Sequence, residues 1–315
     1  MSSRLPAGIL VAGMVAASIV GALTSHAAVI PSTTTPEGAS ASVSAYPGVR
    51  VLRNIPYEVV DGRTEQLDVC LPARLSKSVP RPAVIEVHGG SWAHKDKSDP
   101  AWQDVCRWLA SVGYVTANVD YRLAPLHPYP AGIRDVERAV EWMRQPAQTR
   151  RFDINPRRIA AFGGSAGGNL VSLLGTLGSG STSVGHRVAA VVDMSGPIDL
   201  TSSGVERRTF YPLVLAYLHC TNLGSCPQAA AASPDHHVDS TDPPFFITNS
   251  TDELIPYGQS VNFVKTLRSS GVKATLVTLP GRAHSIAGLN VTMRSRIAAF
   301  LHTAVPLPGR RGPSR

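Results

Sequence analysis

The chain alternates short apolar runs with segments of helical periodicity, and this alternation constrains its fold more than any other feature. In one such segment, apolar side chains recur at helical spacing at Trp102, Val105 and Leu109, and Gly113 follows as a stop. Strands that alternate with helices are joined by right-handed crossovers in a largely parallel sheet covered on both faces. We therefore predict an α/β fold. The apolar runs read as strands are residues 83–87, 114–119, 158–162, 188–194, 244–248 and 272–279.

Two regions fall outside this regular alternation. Residues 49–60 and 66–71 precede it and predict an antiparallel pair at the edge of the sheet. The connection 196–243 is much longer than a strand-to-strand link with one helix requires, and it contains the apolar segment 211–218. We expect this connection to form a cap over the carboxyl edge of the sheet, where open α/β sheets bind ligands.

The N-terminal residues have the layout of a secretory signal. Arg4 is followed by the apolar run 5–23, and Ser25 and Ala27 are small residues at the −3 and −1 positions of a cleavage site. Secretion of the chain is the expectation, and an uncleaved N-terminal membrane anchor is the alternative. The predicted organisation is a signal peptide (1–27), a flexible linker (28–48), a folded domain (49–305) and a basic disordered tail (306–315).

The net charge of +8 does not indicate a nucleic-acid partner. Arg4 at one end and Arg310, Arg311 and Arg315 at the other contribute half of it. The remainder shows neither a basic helical stripe nor the interleaved aromatic residues that hold bases. We therefore expect no nucleic-acid partner. With 43 % hydrophobic and 17 % charged residues, the composition also argues against a disordered polymer.

Four cysteines are too few for a disulfide scaffold, but an exported protein can carry disulfides. A short loop separates Cys220 from Cys226, and this spacing favours a disulfide between them. The sequence leaves open whether Cys70 and Cys106 are paired or simply buried. No cysteine or histidine spacing indicates a metal site, so neither a metal nor an organic cofactor is expected.

A Gly-Gly-Ser-Ala-Gly motif at 163–167 follows the run 158–162 directly and precedes a helical segment. This strand–turn–helix context is typical of a nucleophilic serine on a tight turn, here Ser165. A serine needs a base and an orienting acid, which follow it in the order acid and then histidine on such a sheet. Asp252 follows the run 244–248, and His284 follows the run 272–279. Glu253 and Asp199 are the alternative acids.

A Gly-rich loop, His-Gly-Gly-Ser-Trp at 88–92, follows the run 83–87. Backbone amides in such a loop can stabilise the oxyanion of an acyl-transfer reaction. We predict an oxyanion hole formed by Gly90, Ser91 and Ala166. Trp92 either lines the substrate pocket or packs in the core, and the sequence does not decide between these.

Together, the loop at 88–92, Asp-Tyr-Arg-Leu-Ala-Pro at 120–125 and the serine motif resemble the α/β-hydrolase fold. They are most similar to the hormone-sensitive-lipase-like and BD-FAE-type carboxylesterases. The resemblance implies a mostly parallel central sheet flanked by helices, with a cap insertion at about 196–243. Ser91 departs from the third glycine of many relatives, and Asn249-Ser250 replaces the common His-Gly before the acid. By resemblance, the nucleophile is Ser165, the acid Asp252, the base His284 and the oxyanion donors Gly90, Ser91 and Ala166.

The resemblance implies a secreted serine hydrolase that cleaves esters of short to medium acyl chains through an acyl-enzyme intermediate. The expected partner is a small-molecule or lipid ester. A membrane surface is expected only through an uncleaved signal or the cap. Amide or formamide hydrolysis and acyl transfer use the same three residues and remain alternatives. A non-catalytic binding protein of this fold is a further alternative.

Overall fold

The computed structural model describes residues 45–73, 79–201, 203–205 and 210–309. The predicted signal peptide and most of the predicted linker lie outside these residues, as does the tail from 310 onward. The fold described below belongs to the unit Ser44–Arg315. Over the ranges just given, none of the helices has the length and apolar character needed to cross a membrane.

One sheet contains the eight strands found in the described residues, in the order β1-β2-β4-β3-β5-β6-β7-β8. β1 and β2 form the antiparallel edge pair, β2 is antiparallel to β4, and the strands from β3 to β8 run parallel to one another. This topology confirms the predicted α/β sheet with an antiparallel edge pair. The strands are β1 (Arg50–Val60), β2 (Arg63–Leu71), β3 (Arg81–Val87), β4 (Val115–Val119), β5 (Ile154–Gly164), β6 (Val191–Met194), β7 (Phe245–Ser250) and β8 (Ala274–Leu279).

Helices cover both faces of the sheet, as the alternating sequence pattern predicts. The α-helices are α1 (Pro100–Ser111), α2 (Ala131–Arg144), α3 (Pro146–Phe152), α4 (Ala166–Thr176), α5 (Tyr211–Leu218), α6 (Pro227–Ala231), α7 (Tyr257–Ser269) and α8 (Val291–Ala304). Apolar residues of α1 and α8 pack in one core cluster, and those of α2, α4 and α7 pack in another. The short helix α3 was not among the predicted elements.

All four cysteines form disulfides. Cys220 pairs with Cys226, as their short separation indicates, and the bond closes the loop between α5 and α6. Cys70 pairs with Cys106, which answers the question that the sequence left open. This second bond joins strand β2 to the middle of helix α1, which packs against β2 and β4.

The long connection 196–243, predicted to be a cap, contains α5 and α6 and packs on the loop at 88–92. The ring of Tyr217 on α5 stacks on Trp92, with centroids 4.2 Å apart and planes 4° apart. The side-chain amide of Asn169 on α4 donates a hydrogen bond to the carbonyl of Ala232, at 3.1 Å. The apolar character of 211–218 therefore serves burial, because Val214, Tyr217 and Leu218 are all in the core.

Strand β3 carries a buried carboxyl group in the middle of the sheet. Glu86 is completely inaccessible to solvent, and neither of its carboxyl oxygens has a hydrogen-bond partner among the described residues. Burial, and then the negative charges of Asp104 and Asp68, raises the pKa of Glu86 well above its usual range. Burial therefore favours the protonated form of Glu86 in the folded chain.

Substituting Glu86→Gln should change how stability depends on pH. In the unfolded chain Glu86 ionises above about pH 4.5, whereas its raised pKa in the folded chain holds the proton to higher pH, so the wild type loses stability as pH rises. Each pH unit between those two pKa values removes about 1.4 kcal/mol. We expect E86Q to gain stability relative to the wild type between pH 5 and pH 8, by urea unfolding.

Glu141→Gln on α2 is the matched control, because the Glu141 side chain is about half exposed. Its difference in unfolding free energy from the wild type should not follow this slope. A difference between E86Q and the wild type that stays constant from pH 5 to pH 8 would show that Glu86 is ionised in the folded chain.

Candidate active site

Ser165 lies on a tight turn between β5 and α4, as the sequence predicts. Its backbone has φ 55° and ψ −126°, a left-handed conformation that costs a non-glycine residue roughly 1–3 kcal/mol. The turn is held from the neighbouring strand, because the amide of Ser165 donates to the carbonyl of Met194 at 2.9 Å. A Cβ atom on Gly167 would lie 2.1 Å from the carbonyl oxygen of Val87. Only glycine therefore allows α4 to begin this close to the end of β3.

His284 lies in the loop after β8 and connects Ser165 to a carboxylate. Its Nε2 atom is 2.8 Å from Oγ of Ser165, and its Nδ1 atom contacts Oε2 of Glu253. The imidazole side chain is 30 % exposed, whereas the Glu253 side chain is completely buried. A hydroxyl, an imidazole and a buried carboxylate are thus in consecutive contact.

The predicted acid, Asp252, is not the carboxylate that contacts His284. The Asp252 side chain is 60 % exposed, and its carboxylate lies 3.7 Å from Nη1 of Arg282 at the surface. Glu253, one of the two alternative acids named from the sequence, takes the position instead. The other alternative, Asp199, accepts hydrogen bonds from the Thr201 and Ser203 hydroxyls.

Backbone pairing beyond the ends of β7 and β8 explains this difference. The amides of Thr251 and Asp252 donate to the carbonyls of Leu279 and Gly281, at 3.0 and 2.9 Å. These bonds continue the ladder past the strands and leave Asp252 on the surface side. The chain then turns inward, and Ile255 is buried. The apolar pair Leu254-Ile255 was the available sequence signal that Glu253 is the inward residue.

A second buried carboxyl group lies at the end of β6. Asp193 accepts hydrogen bonds from the Ser172 hydroxyl at 2.8 Å and from the Gly196 amide at 2.7 Å. Burial raises the pKa of Asp193 to about 7, the two hydrogen bonds oppose this shift, and the charge of Glu253 adds to it.

The predicted oxyanion residues Gly90, Ser91 and Ala166 are all close to Ser165 in the chain or in space. Gly90 and Ser91 line the same cavity as Ser165. Gly90 has φ 125°, and a Cβ atom there would lie 2.1 Å from the carbonyl oxygen of His94. Ala166 is the first residue of α4, where backbone amides have no acceptor within the helix. These positions leave amides available near the hydroxyl of Ser165.

His88 anchors the Gly-rich loop. Its ring stacks on Tyr121, with centroids 4.4 Å apart, and the hydroxyl of Tyr121 donates to the His88 carbonyl at 3.0 Å. The imidazole is buried, and burial lowers its pKa. A neutral, buried imidazole held in this way has a structural role at His88. Proton transfer is therefore assigned to His284.

A cavity of about 550 Å³ opens beside Ser165 and His284. Trp92, for which the sequence left pocket and core open, is buried against Tyr217 in the core. Trp102 on α1 lines the cavity in its place, and the helical spacing of that residue gave no indication of this position. Most of the wall is apolar, formed by Ala101, Trp102, Val105, Leu254, Ile286, Ala287 and Leu289, with Lys95, Asp104 and Arg294 as its charged residues.

The described part of the chain contains no cluster of three or more His, Cys, Asp or Glu side chains arranged to hold a metal ion. His237, which the sequence places beside His236, instead has its Nε2 atom 2.9 Å from the carbonyl oxygen of Ala231.

Comparison with known proteins relates this site to a family. The family model of BD-FAE matches residues 67–267. Esterase LipQ of Mycobacterium tuberculosis (strain ATCC 25618 / H37Rv) is 30 % identical over 254 residues, which are 78 % of this chain and 59 % of LipQ. Esterase LipC of the same strain is 33 % identical over 219 residues, which are 65 % of this chain and 53 % of LipC. The matches thus span only between about half and three fifths of these relatives.

Solved structures agree on the fold. Thermogutta terrifontis esterase 2 phosphonylated by sarin superposes with a TM-score of 0.71 at 22 % identity, covering 84 % of this chain and 98 % of that one. A truncated carbohydrate esterase from gut microbiota gives a TM-score of 0.70 at 22 % identity, covering 82 % and 97 %. At this identity the likeness concerns the fold alone, and it confirms the predicted α/β-hydrolase architecture.

Proposed function

This chain belongs to the BD-FAE family, and from that premise we propose that it is a serine hydrolase that cleaves carboxylic esters of short to medium acyl chains. One observation carries the proposal: Oγ of Ser165 is 2.8 Å from Nε2 of His284, whose Nδ1 contacts the buried carboxylate of Glu253. This arrangement lies at the mouth of a mainly apolar cavity. The relatives LipQ and LipC, both named esterases, support the same reaction class.

In the proposed reaction, Oγ of Ser165 attacks the ester carbonyl carbon while Nε2 of His284 takes the hydroxyl proton. The negative oxygen of the tetrahedral intermediate accepts hydrogen bonds from the amides of Gly90, Ser91 and Ala166. His284 then returns the proton to the departing alcohol, which leaves an acyl group on Ser165. Water attacks this acyl-enzyme by the same route, and the carboxylic acid and free Ser165 are the products.

Glu253 supports the base through charge and orientation. Its carboxylate accepts a hydrogen bond from Nδ1–H of His284, so Nε2 carries the lone pair that faces Ser165. Because Glu253 is completely buried, its ionised form has lost the stabilisation of water. The imidazolium that forms during attack supplies the missing opposite charge in direct contact. Proton transfer to His284 is therefore favoured at the step that needs it.

The shape of the cavity supports short to medium acyl chains. A volume of about 550 Å³ is in the range of small-molecule sites, and its mainly apolar walls suit an alkyl chain. Trp102 bounds the cavity close to the nucleophile, because its ring lies 3.2 Å from the place that a Cβ on Gly164 would occupy.

The signal-like residues 1–27 and the two disulfides support export of the chain. Disulfides persist in oxidising compartments and are rare in the cytosol of most organisms. We therefore place the mature protein outside the cytoplasm in this proposal. Processing after Ala27 would release it, whereas an uncleaved segment would anchor it to the membrane.

N-terminal sequencing of the exported protein separates these two outcomes. We expect the mature chain to begin at Ala28 and to be recovered from the medium or the extracytoplasmic fluid. An intact Met1 on membrane-bound protein would favour the anchor.

The reaction class is tested with p-nitrophenyl esters from acetate to laurate, on the wild type and on Ser165→Ala. We expect turnover that is greatest for the short and medium chains, and a loss of about 10⁴-fold or more in S165A, because the nucleophile is absent. p-Nitroanilides of the same acids test for amide hydrolysis. Equal rates in the two proteins would remove Ser165 from the mechanism.

The neighbouring acids form a matched pair of variants, Glu253→Gln and Asp252→Asn. An amide at 253 supplies no charge and does not hold His284 in the productive tautomer, so kcat should fall by about 10²–10⁴-fold. D252N changes a surface side chain, and kcat should stay within about threefold. Both are measured on one short ester, with circular dichroism to verify folding. The opposite ranking would return the acid role to Asp252.

A further inference from the structure

We propose that Ser195 and Ser250 are positioning residues that hold the backbone on either side of His284. The inference rests on the proposed function, in which His284 is the base. Neither serine was singled out from the sequence as part of the site, and neither touches the reacting atoms.

Two hydrogen bonds carry the proposal, one on each side of the histidine. The hydroxyl of Ser250 donates to the carbonyl oxygen of Ala283, the residue before His284, at 2.5 Å. The amide of Ser285, the residue after His284, donates to Oγ of Ser195 at 3.1 Å. Both serines are buried, with side chains shielded from competing water. One hydroxyl just beyond β6 and one at the end of β7 therefore restrain the residues on either side of His284.

The histidine loop needs such restraint because it lies beyond the end of β8. His284 is 30 % exposed and follows a turn at Gly281, which has φ 86°. General-base catalysis requires the imidazole to stay within hydrogen-bond reach of Oγ of Ser165. Catalytic side chains must be held within roughly 0.5 Å of their productive geometry. A loop held only where it leaves β8 would let the imidazole sample a wider range of positions.

Ser195 is itself held by the sheet, so its hydrogen bond to Ser285 fixes the histidine loop relative to the strands. It follows β6 directly, has φ 58°, and its amide donates to the carbonyl of Thr248 at 2.8 Å. The next residue, Gly196, donates its amide to the buried carboxyl group of Asp193 at 2.7 Å. The Ser195 hydroxyl is therefore fixed between β6 and β7, the strand that leads to Glu253.

As the last residue of β7, Ser250 lies on the strand that leads to Glu253. The hydrogen bond from Ser250 to Ala283 thus connects the loop that carries His284 to the strand that leads to Glu253.

The test compares Ser195→Gly, Ser250→Gly and their double variant with Ser260→Ala as a matched control. Glycine suits the positive φ at position 195, and both substitutions remove a hydroxyl without adding atoms to a buried site, so both variants should fold. Ser260 on α7 is equally buried, but its hydroxyl has no hydrogen-bond partner among the described residues. The S260A variant therefore loses a buried hydroxyl without losing a hydrogen bond to the histidine loop.

We expect each single variant to lower kcat on a short p-nitrophenyl ester by about tenfold, with KM within about twofold. The double variant should lose more than either single one, and S260A should match the wild type. Phosphorylation of Ser165 by diethyl p-nitrophenyl phosphate, which releases p-nitrophenolate and passes the serine proton to His284, should slow in parallel. Unchanged kcat and phosphorylation rates in the folded variants would overturn the proposal, even if their Tm falls.

The proton NMR signal of His284 Nδ1–H in its bond to Glu253 gives a readout independent of turnover. We expect it to broaden or shift in both glycine variants and to stay in place in S260A. A wild type that reacts with neither esters nor the phosphate triester would refute the proposed function. In that case the NMR signal still tests positioning, and an unchanged resonance in both variants would overturn it.

Discussion

The close approach of α4 to the end of β3 is the constraint on which the rest of the site depends. Gly167 lies so near the carbonyl oxygen of Val87 that no side chain fits between them. This approach brings the loop at 88–92 beside Ser165, which has a positive φ of 55°. Because β5, β7 and β8 are parallel, their carboxyl ends then bring the serine, the carboxylate and the imidazole to one edge of the sheet.

The interior of the protein contains more carboxyl groups than the proposed reaction uses. Glu253 has His284 as its partner, and Asp193 has two hydrogen-bond donors, but Glu86 has no partner among the described residues. These environments push the pKa values apart: burial raises the pKa of Glu86 well above its usual range and the pKa of Asp193 to about 7. Of these three groups, Glu253 is the one that contacts a histidine, and it is the one placed to act in catalysis.

Most of the fold could be predicted from the sequence because burial gives the apolar residues of each strand and helix a regular spacing. The runs that became β3 to β7 are apolar because both faces of these strands are covered, and the helices show one apolar face. The strand–turn–helix at Ser165 and the loop at 88–92 were also predictable, since glycines mark both. The helix α3 was not, because it follows α2 at Pro146 without an apolar pattern of its own.

Two details of the site depended on geometry that one-dimensional patterns do not contain. Asp252 and Glu253 are adjacent carboxylates, and the hydrogen bonds beyond β7 and β8 decide which one faces inward. Trp92 and Trp102 are both aromatic residues near the nucleophile, and only packing against Tyr217 separates the core residue from the cavity residue. The Cys70–Cys106 bond likewise joins elements whose proximity is set by the sheet.

The stacking of Tyr217 on Trp92 has a consequence for how such enzymes can be recombined. The connection 196–243 contributes one ring of the pair and the Gly-rich loop contributes the other. The amide of Tyr129, which precedes α2, also donates to the carbonyl of Tyr217 at 2.9 Å. The connection is therefore not an interchangeable module. A chimera that imports this segment from a relative has to import the partner of its aromatic ring as well, or the loop beside Ser165 loses the surface on which it rests.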